Sequence, residues 1–254
     1  MALASGRMVV YTCVTAGYDE VEPVPRIGNL DFVLITDSPP AGAEGWIIRS
    51  LPPGAGDGAI ANRFVKMHPH LLFGEYDIST YIDGNIRVLD DISAIARSAM
   101  MRGDIALFEH PFRRCAYLEA QECAAVGYDW GWKIDRQMRR YRQDGYPVDH
   151  GLYEANVLVR RHHSPAVRKL MAAWWSEYRN GIRRDQLSLG YLSWKMHVPI
   201  VSLGPSDARS TRRYFSIREG HGRGSTLCTR ARGWANRKMA RTGWFRSGLY
   251  CRRN

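Results

Sequence analysis

Residues 79–85 read Ser-Thr-Tyr-Ile-Asp-Gly-Asn, a run of strand character that passes directly into a carboxylate, a glycine and an amide. β-Branched and aromatic residues favour a strand, and Asp-Gly favours a tight turn after it. Runs of the same kind lie outward on both sides, at Met8–Thr15, Asp31–Thr36, Trp46–Arg49, Ile105–Glu109, Ala155–Arg160 and Pro199–Leu203. Helical stretches separate them, and this alternation predicts an α/β fold with a largely parallel sheet covered by helices.

The clearest helix covers Ser164–Arg179. Ser164 can cap it, Pro165 suits the first helical position, and Val167, Leu170, Met171, Trp174, Trp175 and Tyr178 recur at helical spacing as core residues. Further helices are expected at Ile134–Gln143, ended by Gly145 and Pro147, and at Asp185–Lys195 with Asp185 as its N-cap. Gly- and Pro-rich loops fill Pro39–Gly45 and Pro52–Gly58.

With 254 residues, 45% of them hydrophobic, the chain supports one sizeable α/β core and an appendage. Charge sets the boundary. Residues 1–204 hold 23 Lys/Arg and 23 Asp/Glu, whereas residues 205–254 hold 13 Lys/Arg against Asp207 and Glu219 alone, so the whole net charge of +11 resides in this C-terminal extension. The expected organisation is therefore a neutral α/β body over 1–204 and a basic, aromatic extension over 205–254, either an extended wrap over the core or partly mobile.

Five cysteines without CxxC spacing or a Cys/His cluster point to reduced thiols and a cytoplasmic address. The opening apolar stretch reads as a first strand rather than a secretion signal. No run approaches the roughly 18 apolar residues of a membrane span.

In open α/β sheets ligands gather at the carboxyl ends of strands. After Ile82, Asp83 and Asn85 offer oxygen ligands for a hard cation such as Mn²⁺ or Mg²⁺, and Gly84 lets a ligand approach the backbone; an Asp-Gly turn alone gives the same pattern. The first strand ends in Thr15-Ala16-Gly17-Tyr18, where Tyr18 can stack on a base, and the second in Thr36-Asp37-Ser38. Arg63 and Lys66, three apart on one helical face, suit a diphosphate. Asn156 and the Arg183-Arg184-Asp185-Gln186 helix start can orient a sugar, and Asp185 also serves simply as a cap. Glu109, His110 and Glu119 are candidates for an acceptor side or for a buried polar network.

The ordered blocks VVYTCVTAGYD, LDFVLITDSP, ANRFVKMHPH, STYIDGNI, LFEHPFRRCAYLEA, GLYEANVLVRRHHSP and RRDQLSL, over about residues 8–195, resemble a glycosyltransferase-like domain family once known only as a domain of unknown function. Four of them more distantly resemble the glycogenin and galactinol synthase family. The resemblance implies a GT-A-type (Rossmann-like) fold, a nucleotide-sugar donor, by default UDP-linked, and a divalent metal. Asp83 and Asn85 then stand at the first and last DxD positions, Lys66 near the donor phosphates, and Asp185 and Gln186 beside the transferred sugar. Asn85 is an amide where related enzymes have a carboxylate, which weakens that metal site. A late histidine completes the metal in related enzymes, with His221 preferred here over His197.

A glycogenin-like reading favours transfer with retention. Inversion needs a general base, for which Glu154, Glu109 and Asp149 are candidates. The acceptor is expected to be a glycan or a lipid-linked molecule, as in polysaccharide biosynthesis. The extension offers two rival partners, nucleic acid or the anionic inner face of a membrane, on an active or a catalytically degenerate fold.

Overall fold

The computed structural model describes residues 6–15, 20–28, 30–218 and 227–241. Along the chain run β1 (Met8–Val14), β2 (Leu30–Thr36), β3 (Ile47–Ser50), α1 (Gly58–Met67), α2 (Pro69–Leu72), β4 (Ile78–Ile82), β5 (Ile86–Val88), α3 (Ser93–Met100) and β6 (Ile105–Glu109). They are followed by α4 (Ala116–Val126), α5 (Gly131–Gln143), β7 (Tyr153–Arg160), α6 (Pro165–Asn180), α7 (Gln186–Lys195), β8 (Val201–Pro205), β9 (Phe215–Ile217) and α8 (Leu227–Arg241). Two compact units divide the chain. The first comprises Met1–Pro111, Glu154–Trp175 and Val198–His221, the second Phe112–Tyr153, Ser176–His197 and Gly222–Asn254, so each draws on both sides of Gly204.

The first unit holds a seven-stranded sheet in the order β3-β2-β1-β4-β7-β6-β8. β3, β2, β1 and β4 are mutually parallel, β7 runs antiparallel to β4, and β6 is parallel to β8. Every residue of β1 is buried, as a central strand covered on both faces requires. Met8 and Val10 join the core cluster with Phe32, Ile78, Ala96, Met100 and Phe108 on the α3 face. Tyr11, one residue out of phase, reaches the carbonyl of Lys66 on α1 at 3.2 Å instead. A second, two-stranded sheet pairs β5 with β9, Ile86 opposite Ile217.

The helix expected at Ser164–Arg179 is α6, with Val167, Leu170 and Trp174 fully buried. Ser164 differs in its use: its hydroxyl donates to Asp104 at 2.7 Å. Asp185 caps α7 as expected, its carboxylate accepting from Gln186 N at 3.0 Å.

In the second unit, residues 227–241 of the C-terminal extension form a helix, α8, for which the sequence gives no apolar periodicity, and it packs on α4. Its interface is made by close backbone approach and amides rather than by an apolar stripe. Gly127 caps α4 at φ +83°, and a Cβ on it would collide with the Thr229 carbonyl; one on Gly233 would lie 2.8 Å from Ala125 O. Asn236 donates to the carbonyls of Ala124 at 2.8 Å and Asp129 at 3.0 Å and accepts from Gly131 N at 2.9 Å. No helix among the described residues is long and apolar enough to cross a membrane.

Candidate active site

Because β2, β1 and β4 are adjacent and parallel, Asp37, Thr15 and Asp83, each just past its strand, share one edge of the sheet. The antiparallel β7 brings its amino end to that edge, and Asp83 N donates to Asn156 O at 2.8 Å. The Asp83-Gly84-Asn85 turn is closed by Ile86 N on Asp83 O at 2.9 Å and anchored by Arg218 N on Asn85 O at 3.0 Å. The loop that the sequence singles out is thus fixed at both ends.

Lys66 projects from α1 and is 1% exposed. Its Nζ lies 3.4 Å from Asp83 Oδ1, 5.0 Å from the centre of the Tyr81 ring and 5.8 Å from that of Trp174. A buried ammonium is costly unless paired, and one carboxylate with two aromatic faces supplies that pairing. Asn62 ties α1 to β1 through a 2.6 Å bond to Cys13 O, and Thr15 does so through Gly58 O at 3.0 Å. Arg160, completely buried, donates to the Lys66 carbonyl at 2.8 Å and to the Tyr11 hydroxyl at 2.5 Å, complementing the negative carboxyl end of the helix.

The charges of this edge reach the groups beneath it. Burial pushes the Cys13 thiol up to about 12, with Asp37 adding to the rise and Arg63 opposing it. Burial, then the Asp83 charge, pushes the Tyr81 phenol well above its ordinary value. Both groups therefore stay protonated and neutral at physiological pH.

Glu154 is buried and engaged on both oxygens, Oε1 by Arg209 Nε at 2.7 Å and Oε2 by the Ser206 hydroxyl. Asn156, two residues along the same face of β7, keeps a buried Oδ1 that meets no hydrogen-bond donor among the described residues. Such an orphaned acceptor is what a ligand hydroxyl or a water satisfies. Asp37 is exposed, and the Arg63 guanidinium donates to Asn62 Oδ1. Glu109 is exposed and accepts from Ser202 at 2.8 Å, and His110 is partly exposed. Ala16, Tyr18 and His221 lie outside the described residues.

The second unit holds Asp185, Gln186 and Glu119. Asp185 and Gln186 are buried at the start of α7, and Arg184 donates to Gln186 Oε1 at 3.2 Å. Glu119 accepts from Arg113 at 2.6 Å and lies 3.8 Å from Arg184, a buried polar network. Asp149 and His197 both have positive φ, 56° and 55°, in exposed turns.

Three features escape sequence reading: the aromatic cage on Lys66, the Arg160 brace beneath it, and the Ser206–Glu154–Arg209 chain. None has a local motif, because each joins residues from distant segments through the sheet. Among the described residues no three His, Cys, Asp or Glu side chains gather as a metal site. The Asp83 carboxylate and the Asn85 amide are nevertheless hard oxygen donors on one fixed turn. They fit Mn²⁺ or Mg²⁺ as a partial ligand set, the rest coming from phosphate and water.

The strand ends of a mostly parallel sheet, where this polar cluster lies, are where open α/β proteins bind their ligands. Residues 55–206 match the TOD1/MUCI70 glycosyltransferase-like domain, and the chain belongs to that family. The fold is the mixed, mostly parallel α/β sheet flanked by helices that the sequence predicts. No curated protein matches the sequence. Among solved structures, the galactosyltransferase LgtC, in complex with donor and acceptor sugar analogs, is 14% identical over 92% of this chain and 95% of its own, with a TM-score of 0.45. Mouse xyloside xylosyltransferase 1 is 10% identical over 78% of this chain and 84% of its own, with a TM-score of 0.44. Streptococcus pneumoniae GlyE is 15% identical over 82% of this chain, with a TM-score of 0.43, and this chain spans only 47% of its length.

Proposed function

We propose that this chain transfers a glycosyl group from a nucleoside-diphosphate sugar, UDP-linked by the family resemblance, to a hydroxyl of a glycan or lipid-linked acceptor. The observation that carries the reading is the buried Lys66 ammonium, held 3.4 Å from Asp83 at the carboxyl ends of parallel strands, inside the segment that defines the family. In the transfer the bond from the anomeric carbon to the diphosphate breaks as the acceptor oxygen bonds to that carbon, and the acceptor's proton passes to the departing diphosphate oxygen. Charge develops on the diphosphate, and a preorganised ammonium stabilises it without having to reorganise. Lys66 and Arg63 take this role, and the Asn156 amide orients a donor hydroxyl.

Asp83 and Asn85, with His221 the expected third ligand, would hold a divalent cation, which would supply further positive charge at the diphosphate. By the resemblance, Asp185 and Gln186 attend the transferred sugar, and retention is the favoured outcome. Both Glu154 oxygens already accept hydrogen bonds, so we assign Glu154 to orienting Arg209 and Asn156 rather than to taking the acceptor proton.

The test is release of nucleoside diphosphate from a panel of UDP-, GDP- and ADP-linked sugars with Mn²⁺, read by mass spectrometry on the parent and on Lys66→Met. Release from one donor class, lost in a variant that keeps its circular dichroism, supports the reading; equal release by both proteins overturns it.

A second reading concerns the C-terminal extension. α8 holds Arg230, Arg232, Arg237 and Lys238 without an acid, and its Trp234 is 60% exposed. This mixture supports docking on the anionic inner face of a membrane, from a cytoplasmic position. Co-sedimentation with phosphatidylserine vesicles, lost in Arg230→Glu/Lys238→Glu, is the expected result. Binding to RNA but not to vesicles would favour nucleic acid instead.

A further inference from the structure

We propose that the second unit carries a separate binding site for a sugar bearing an anionic substituent, a carboxylate or a phosphate, in the cavity between α5 and residues 177–182. The cavity has a volume of about 320 Å³. That is at the small end of the range of roughly 300–1,000 Å³ for small-molecule sites, and suits one or two sugar rings.

Its charge selects an anion. Lys133, Arg136 and Arg140 line it from one face of α5, spaced three and four residues apart, against the single carboxylate of Glu177. Arg140 is spent on Glu177, and Lys133 is shared with Asp129 at 3.7 Å. Arg136 has no ion-pair partner among the described residues, so the cavity keeps an uncompensated guanidinium suited to a two-oxygen anion.

Its walls select a sugar. Trp132 lines the cavity, 45% exposed, with Lys133 Nζ 5.7 Å from its ring centre, and an exposed indole is a group on which the C–H side of a pyranose stacks. Opposite the cations, Glu177, the Asn180 amide and the carbonyl end of α6 accept from hydroxyls.

The floor is built rather than incidental. Ile182 N donates to Gln137 Oε1 at 2.9 Å, Gln137 Nε2 to the Tyr141 hydroxyl at 2.7 Å, and that hydroxyl to Glu177 Oε1 at 2.8 Å. This chain fixes the direction of the Glu177 carboxylate. Gly181 closes the floor, where a Cβ would lie 2.6 Å from Gln137 Oε1 and 2.8 Å from Glu177 O. Burial, then the Glu177 charge, pushes the Tyr141 phenol well above its ordinary value, which keeps it a donor.

The test is calorimetric titration of the full chain with glucuronic acid, glucose 6-phosphate, glucose and inorganic phosphate, on the parent, Arg136→Ala, Trp132→Ala and Asp83→Ala. At least one of the two acidic sugars is expected to bind the parent about tenfold or more tightly than glucose or inorganic phosphate, and which one binds names the anionic group. Arg136→Ala and Trp132→Ala each weaken that binding about tenfold, while Asp83→Ala leaves it unchanged and so separates this site from the proposed donor site. The proposal is overturned if no probe binds at about 10 mM, if inorganic phosphate binds as well as glucose 6-phosphate, or if neither cavity variant changes the affinity.

Discussion

Two ion-paired centres, one in each unit, are built inside out with respect to each other. Around Asp83 the cation is the buried partner: Lys66 is 1% exposed and the carboxylate 32%. Around Glu119 the carboxylate is the buried partner at 5%, while Arg113 and Arg184 keep 29% and 33% exposure. A buried carboxylate ringed by arginines has its acceptors filled by the protein, and what remains for it is to organise Arg184 and, through it, Gln186. A buried ammonium behind a half-open carboxylate carries positive charge that water screens poorly, which is the property the proposed diphosphate role uses. Under the proposed function, the difference separates a centre that holds structure from one that takes the donor diphosphate.

The comparison breaks most visibly at the cage. Trp174→Ala removes a fully buried indole that backs Lys66, and is expected to cost about 3–5 kcal/mol of stability, read by urea denaturation. Next, Lys66→Met keeps bulk but removes the charge; donor turnover should fall about 10²–10³-fold while the denaturation midpoint shifts far less than for Trp174→Ala.

Acid offers a third handle on the first unit. His162, buried and bonded to Phe73 O at 2.9 Å, has its pKa pushed down to about 4 by burial and by nearby His163 and Arg160. With a folded value below the unfolded 6.5, the unfolded chain takes up the proton first. Stability should therefore be full above pH 6.5 and fall towards pH 4, by about 3 kcal/mol, and His162→Gln should flatten that slope.

The Glu119 centre answers more weakly. Glu119→Ala leaves two half-solvated arginines and is expected to cost roughly 1–3 kcal/mol, with any loss of turnover following from displacement of Gln186. A Glu119 variant that lost turnover as completely as Lys66→Met, with stability unchanged, would erase the distinction between the two centres.

Much of this was legible in the sequence because strand and helix periods are local. β6 lies where the run Ile105–Glu109 predicts, α6 is shifted from its predicted span by one residue at each end, and Asp185 caps α7. The turn Asp83-Gly84-Asn85 and the pair Arg63/Lys66 could be singled out because Gly, Asp and cation spacing carry their chemistry in the chain itself. What could not be read depends on residues far apart in sequence. Nothing around Lys66 announces Trp174, and an arginine on a buried strand such as Arg160 looks like an exposed residue until the α1 carbonyls are brought beneath it. α8 was missed for a different reason: its packing rests on Gly127, Gly233 and Asn236, and glycines and an amide leave no apolar periodicity to detect.

The most direct test of the central claim is calorimetric titration of UDP with Mn²⁺ into the parent and into Lys66→Met, both checked for folding by circular dichroism. The Lys66–Asp83 centre as a diphosphate site predicts binding to the parent and an affinity about tenfold or more lower in the variant. Equal affinity in the two proteins would contradict it.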